Sequence, residues 1–317
     1  MTHVAILDDY QNVALKLADW SQLAGRVEPV SFTRPFESPE AAAEALDGYP
    51  VIVAMRERTP FPADMFERLP ELKLLVTTGM RNAAIDMAAA KKKGVLVCGT
   101  ELLSHPAAEQ TWALILAHSL NIPRDVQSMA SGGWQVGLGR GLNGKTIGIV
   151  GLGKQGRQVA RFANAFGMEV LAWSRSLTQE QAAEHGATRV ELDELLGRSD
   201  IVTLHVVLNE GTRGLIGARE FALMKESALL VNTARGPIIE EPALIDAIQN
   251  GRIAGAALDV YDIEPLPAGH PLRGLRNTLL TPHTGYVTAE NLALMYGQAV
   301  EDIAAWLDGS AVRVLNG

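Results

Sequence analysis

The amino-acid sequence predicts an α/β protein of two doubly wound parallel-sheet domains. Three observations lead there. Short, almost uninterrupted apolar runs alternate with stretches of helical periodicity along the whole chain, and such runs suit parallel strands covered on both faces. The alternation passes through one series of strands, pauses at a long helical stretch, and then starts again. The chain has 317 residues, 47% of them apolar and 20% charged. That is globular composition, and the length exceeds the roughly 250–300 residues at which a single core stops growing.

In order, residues 4–7, 27–31, 51–54, 72–76 and 95–97 read as the first strand series, separated by helix-like stretches such as 39–46 and 85–93. A long helix is expected over residues 105–130. The glycine-rich segment 131–144 reads as an interdomain connection or cleft loop, with Trp134 either capping a cleft or packed in the connector. Residues 146–150, 169–173, 200–204, 228–232, 256–260 and 278–280 form the second series, with a further strand at 188–190. The final helix, 288–307, is placed to return to the first domain and make it discontinuous.

Composition narrows the function classes. Lys and Arg number 28 against 36 Asp and Glu, a net charge of −8. An acidic surface repels phosphate backbones and sets nucleic-acid binding aside, while a small anionic substrate still needs only a few local cations. Cys98, the single cysteine, leaves no internal disulfide and no thiolate zinc site, and reads as a small buried hydrophobe at a strand end. The histidines lack zincin spacing, so no metal is expected. The N-terminus lacks a basic start and an apolar signal core, and the greasiest helix is interrupted by His118 and too short for a bilayer. A cytoplasmic protein without membrane association is expected.

Two stretches match G-x-G-x-x-G. Gly139-Arg140-Gly141-Leu142-Asn143-Gly144 follows polar loop sequence, whereas Gly151-Leu152-Gly153-Lys154-Gln155-Gly156 follows a strand and opens a helix over 155–166. Only the second has the setting a dinucleotide needs. Gly151 permits the tight turn, Gly153 lets backbone approach a pyrophosphate, and Gly156 lets the helix pack close to the strand. The anion would rest on free N–H groups at the positive end of the helix dipole. About twenty residues on, a NAD site usually carries an acid for the ribose 2′-hydroxyl. No Asp or Glu lies between Val170 and Gln179, and Glu169 sits at the wrong end of the strand. Arg175, flanked by Ser174 and Ser176, offers donors to a 2′-phosphate instead, so NADP(H) is favoured over NAD(H).

Ligands of open α/β sheets bind beyond the carboxyl ends of the strands. That rule selects His205, Arg235, residues 259–264 and His283. Both His205 and His283 follow strands, and periodicity does not choose between them.

Taken together, Gly151–Gly156, Leu204-His205-Val206, Asn232-Thr233-Ala234-Arg235-Gly236, Ala257-Leu258-Asp259-Val260 followed by Glu264-Pro265, and Thr281-Pro282-His283 resemble the D-isomer-specific 2-hydroxyacid dehydrogenases, in order over nearly the whole chain. The resemblance implies two Rossmann-like doubly wound domains with a cleft between them. Residues 1–103 with 286–317 would form a flavodoxin-like substrate-binding domain, and 104–285 the dinucleotide-binding domain, through which a homodimer forms. It implies a catalytic set of Arg235, Glu264 and His283, and it selects Glu264 over Asp259 and Asp262. In reduction of a 2-oxo acid, His283 would donate the proton that follows hydride transfer. Glu264 would orient the ring and favour its acid form, and Arg235 would hold the carboxylate in a bidentate fork. Asp259 would meet the nicotinamide carboxamide. The same resemblance extends the cofactor set of Gly151, Gly153, Lys154, Gln155, Gly156, Ser174, Arg175 and Ser176 to His205, Val206, Thr212, Thr233, Ala234 and Gly285.

The segment Thr77-Thr78-Gly79-Met80-Arg81-Asn82 is similar to the family loop whose backbone N–H groups hold the substrate carboxylate, though the family more usually has a small residue, Gly, an aromatic and Asp there. Arg56-Glu57-Arg58-Thr59 is similar to the stretch facing substrate in phosphoglycerate dehydrogenases. Substrate contact and a structural salt bridge are both open to Arg56 and Arg58. Val207 stands where the family usually has proline. The resemblance implies an NAD(P)-dependent dehydrogenase or 2-oxo acid reductase of the glyoxylate/hydroxypyruvate or phosphoglycerate type. The rival from another class is a dinucleotide-sensing, corepressor-like binding protein on the same fold, but the chain lacks the disordered tails such a role would use.

Overall fold

Strand follows helix from the first residues of the computed structural model, which describes residues 1–317. The chain begins β1 (Thr2–Ile6), α1 (Ala14–Leu17), β2 (Val27–Ser31), α2 (Pro39–Leu46), β3 (Val51–Ala54), α3 (Ala63–Arg68), β4 (Leu74–Thr77), α4 (Met87–Lys92) and β5 (Leu96–Gly99). These strands form one parallel sheet in the order β2-β1-β3-β4-β5. Its central strands are buried at almost every position, which is why they read as unbroken apolar runs. The helices α2 and α4 start at side-chain caps. Ser38 accepts from Ala41 N and Asp86 from Ala89 N, while the Asp9 carboxylate takes Val13 N, Ala14 N and Ser31 Oγ.

There follow α5 (Pro106–Ser119), α6 (Ile122–Ala130), β6 (Thr146–Val150), α7 (Lys154–Ala165), β7 (Glu169–Trp173), α8 (Gln179–Ala183), β8 (Thr188–Arg189), α9 (Leu192–Arg198), β9 (Ile201–Leu204), α10 (Ala218–Leu223), β10 (Leu229–Asn232), α11 (Glu241–Gln249), β11 (Gly255–Leu258) and β12 (Thr278–Leu280). All seven of these strands are parallel, in the order β12-β11-β10-β9-β6-β7-β8. The order reverses between β6 and β9, the position where doubly wound sheets open a crevice for a ligand.

The last helix, α12 (Ala289–Leu307), starts at a Thr288 cap and buries Met295, Tyr296, Ala299 and Ile303. By contacts the chain divides into Met1–Leu103 with Val287–Gly317, here unit 1, and Ser104–Tyr286, here unit 2. Cys98 is buried in unit 1, and desolvation, with Asp302 nearby, pushes its thiol up to about 12.

One sequence expectation is corrected. The single helix expected over 105–130 is two, because Asn121 adopts a left-handed φ of 61° and Pro123 follows in the first turn of α6. Asparagine tolerates that conformation better than most residues, and proline cannot continue the hydrogen-bond ladder backwards. No side chain of α6 is fully buried, and Ile122, Val126 and Met129 are exposed. No helix is long and apolar enough to cross a membrane.

Candidate active site

The glycine loop of unit 2 is tied to the strand beside it. Gly151 has a φ of 107°, donates to Trp173 O at 2.7 Å, and lies so close to His205 that a Cβ would meet its carbonyl carbon at 2.7 Å. Ser174 Oγ accepts from Leu152 N at 2.9 Å, so this hydroxyl fixes the loop from the end of β7. Gly153 occupies the N-cap of α7 with no side chain satisfying the first N–H groups, and the space where its Cβ would project is open. At Gly156 a Cβ would lie 2.1 Å from Gly151 O, so helix and loop are in direct backbone contact. Lys154 and Gln155 form the first turn of α7. An uncapped helix end beneath open space suits an anion, so these residues fit a dinucleotide pyrophosphate. The competing motif, Gly139 to Gly144, lies in irregular chain with no strand before it.

Arg175 is exposed and donates from Nη2 to Gly211 O at 3.1 Å, bridging the end of β7 to the loop after β9; Ser176 beside it is also exposed. In that loop Thr212 Oγ1 donates to Val207 O at 2.6 Å and accepts from Asn209 N at 2.8 Å, so its hydroxyl shapes the turn. Val206 is half-buried.

The two histidines that the sequence left equivalent are unlike in the structure. His205 places Nε2 3.0 Å from Thr203 Oγ1, and burial pushes its imidazole down to about 4, so the ring is neutral at physiological pH. His283 is half-buried, and its Nδ1 lies 2.5 Å from Glu264 Oε2. Glu264 is itself held, accepting from Tyr261 N at 2.9 Å. The His283 ring packs edge-on against Tyr286 at 5.8 Å. Asp262 lies near Glu241 and His270, and desolvation, followed by the Glu241 charge, raises its carboxyl above the ordinary value.

Asp259 has no exposed surface. Its Oδ1 accepts from Thr281 Oγ1 at 2.5 Å and Thr284 N at 2.9 Å, and its Oδ2 from Gly285 N at 2.8 Å. The carboxylate thus holds the loop that carries His283. Arg235 follows β10, half-buried, with Nη1 donating to Ala234 O at 2.7 Å. Its turn is shaped by buried Asn232, which accepts from Ala234 N and donates to Arg235 O. Thr233 is also buried, 2.7 Å from Thr111 Oγ1. Thr111 and its neighbour Gln110 were missed in the sequence, where a mid-helix position gives no signal of a polar partner far along the chain.

In unit 1, Arg56 has a φ of 51° and donates from Nη1 to Thr78 O at 3.1 Å. A Cβ on Gly79 would fall 2.0 Å from that Nη1. Gly79 N donates to Thr100 Oγ1 at 3.1 Å, so the glycine makes room for a guanidinium and its own N–H is committed within the fold. Asn82 donates to Arg56 O and to Thr77 Oγ1, which makes it structural. Arg58 lies 4.7 Å over the Tyr10 ring, and Tyr10 donates to Asp8. Met80 and Arg81 are exposed.

Residues 112–285 match the family model described as D-isomer specific 2-hydroxyacid dehydrogenase, NAD binding domain. Over 285 residues the chain is 36% identical to a glyoxylate reductase of Aeropyrum pernix, covering 87% of this chain and 84% of that protein. It is 39% identical over 243 residues to a D-3-phosphoglycerate dehydrogenase of Methanocaldococcus jannaschii, covering 75% of this chain and 46% of that longer protein. Among solved structures, a phosphoglycerate oxidoreductase from Vibrio cholerae O395 superposes with a TM-score of 0.93 at 35% identity, over 98% of this chain and 100% of that one.

Proposed function

The chain belongs to the D-isomer-specific 2-hydroxyacid dehydrogenases, and from that premise we propose that it reduces a small 2-oxo acid, with His283 as proton donor and NADP(H) preferred over NAD(H). His283 and Glu264, 2.5 Å apart at the strand ends of unit 2, carry the proposal. Glu264 takes Nδ1–H and fixes the ring, which leaves Nε2 as the atom that exchanges the proton. Arg235 pairs with the substrate carboxylate and polarises the adjacent carbonyl. As the carbonyl oxygen gains charge, His283 gives it the Nε2 proton and becomes neutral; in the oxidative direction the same atom takes the proton back.

The glycine loop Gly151–Gly156, the end of β7 and the turns at Val206 and Thr233-Ala234 would hold the dinucleotide, which when bound supplies the hydride. Arg175 supports the NADP(H) preference. It is an exposed cation where no carboxylate follows β7 to repel a 2′-phosphate. Unit 1 is the proposed substrate-binding unit, with Arg56 and Arg81 among the cations of its strand-end loops. A homodimer through unit 2 is supported by α6 and the segment after it, where Val126, Trp134 and Leu138 are 62%, 71% and 96% exposed. Sizing by light scattering tests the dimer.

The activity test follows absorbance of NADPH and NADH on addition of glyoxylate, hydroxypyruvate, 3-phosphohydroxypyruvate or pyruvate. Turnover with one of them is expected. Cofactor binding without turnover on any 2-oxo acid would overturn the proposal.

A further inference from the structure

Two neighbouring residues of α5 each reach a different strand-end loop of unit 2. Gln110 Nε2 donates to Thr281 Oγ1 at 3.0 Å and to Thr284 Oγ1 at 3.4 Å. Thr111 Oγ1 lies 2.7 Å from Thr233 Oγ1, two residues before Arg235. The first contact has a direction that elementary chemistry settles. Thr281 Oγ1 donates to Asp259 Oδ1 at 2.5 Å, an oxygen that also accepts from Thr284 N, so the single hydroxyl proton of Thr281 points at Asp259. What remains on that oxygen is lone pairs, and they need a donor. The Gln110 amide supplies it. A one-way chain results, from amide N–H to hydroxyl to carboxylate.

These bonds bracket His283. Thr281 lies two residues before it, and Thr284 and Gly285 follow it, with their N–H groups also on Asp259. His283 has a φ of 53°, in the left-handed region that a residue with a Cβ rarely adopts. Such a conformation persists only where the surroundings over-determine it. Asp259 ties the loop from β11, and Gln110 ties it from α5.

We propose that Gln110 is a positioning residue for His283, holding the loop of residues 281–285 through its amide so that the imidazole stays on Glu264. The proposal rests on the reading of His283 as proton donor. Glutamine suits the position and glutamate does not. An ionised carboxylate in place of the amide would set acceptors against a hydroxyl whose proton is already engaged, and would add a second negative charge facing Asp259.

The test uses Gln110→Leu and Gln110→Glu in the whole protein. Gln110→Leu is expected to lower kcat about tenfold, the scale of one hydrogen bond, with NADPH affinity by fluorescence titration changed less than about twofold. Gln110→Glu is expected to fall below Gln110→Leu at pH 8 and to overtake it near pH 5, where a protonated carboxyl regains a donor for Thr281. A side chain that merely fills space would not produce that crossover. Wild-type kcat in Gln110→Leu, or a pH-independent ratio between the two variants, would overturn the proposal. His283→Ala is measured beside them. Wild-type turnover in that variant would remove the proton-donor reading itself, whereas an inactive His283→Ala with an unaffected Gln110→Leu removes the role of Gln110 alone.

Discussion

His205 makes stability depend on pH in a way that one substitution isolates. Its imidazole is half-buried in unit 2, beside the glycine loop, and desolvation lowers it from 6.5 to about 4. For a base whose folded value is depressed, the unfolded chain binds more protons between the two values, so the stability present above pH 6.5 is lost as pH falls through that window. Between pH 7 and pH 5 the loss comes to about 2 kcal/mol, approaching roughly 3 kcal/mol below pH 4. A glutamine in its place retains a polar group for Thr203 but does not titrate. Urea unfolding of wild type and His205→Gln at pH 7, 6 and 5 is the assay. Whatever the offset at pH 7, the variant is expected to gain about 2 kcal/mol on the wild type by pH 5. Parallel curves would refute the argument, because they would mean that His205 is solvated or already charged in the folded protein.

Removing the acid by His283→Ala should cut turnover by about 10²–10⁴-fold while leaving NADPH affinity unchanged. Glu264→Gln removes the charged partner of His283 and should lower kcat about tenfold with NADPH affinity unchanged, and a wild-type kcat would count against the pairing. Arg175→Ala should lower the NADPH-to-NADH ratio of kcat/KM by roughly ten- to a hundredfold, the scale of a charge-assisted hydrogen bond. A ratio untouched by the substitution removes Arg175 from the cofactor site. In Gly156→Ala the new methyl meets Gly151 O at 2.1 Å, so α7 must lift from the loop. That should cost about 1–3 kcal/mol of stability and weaken cofactor binding. Wild-type affinity in a fluorescence titration would show that the loop tolerates the shift.

The sequence alone carried the strands of both sheets. Runs such as those at β3, β6 and β10 are apolar because parallel strands are covered on both faces, and that demand is written residue by residue. It also separated the glycine loop after β6 from its competitor at Gly139, since a strand before and a helix after are local properties. Other decisions belong to the tertiary structure. The break between α5 and α6 turns on one left-handed residue, Asn121, inside a pattern that reads as continuous helix. His205 and His283 both follow strands, and they part only when packing buries one and brings a carboxylate to the other. The same holds for Gly79, whose missing Cβ leaves room for the side chain of Arg56. Gln110 is the extreme case, a polar residue in the middle of a helix whose partners lie 171 and 174 residues away. Periodicity records which face of an element meets the core. Which distant donor meets which acceptor is decided when the chain closes, because desolvated polar groups must find partners wherever the fold happens to bring them.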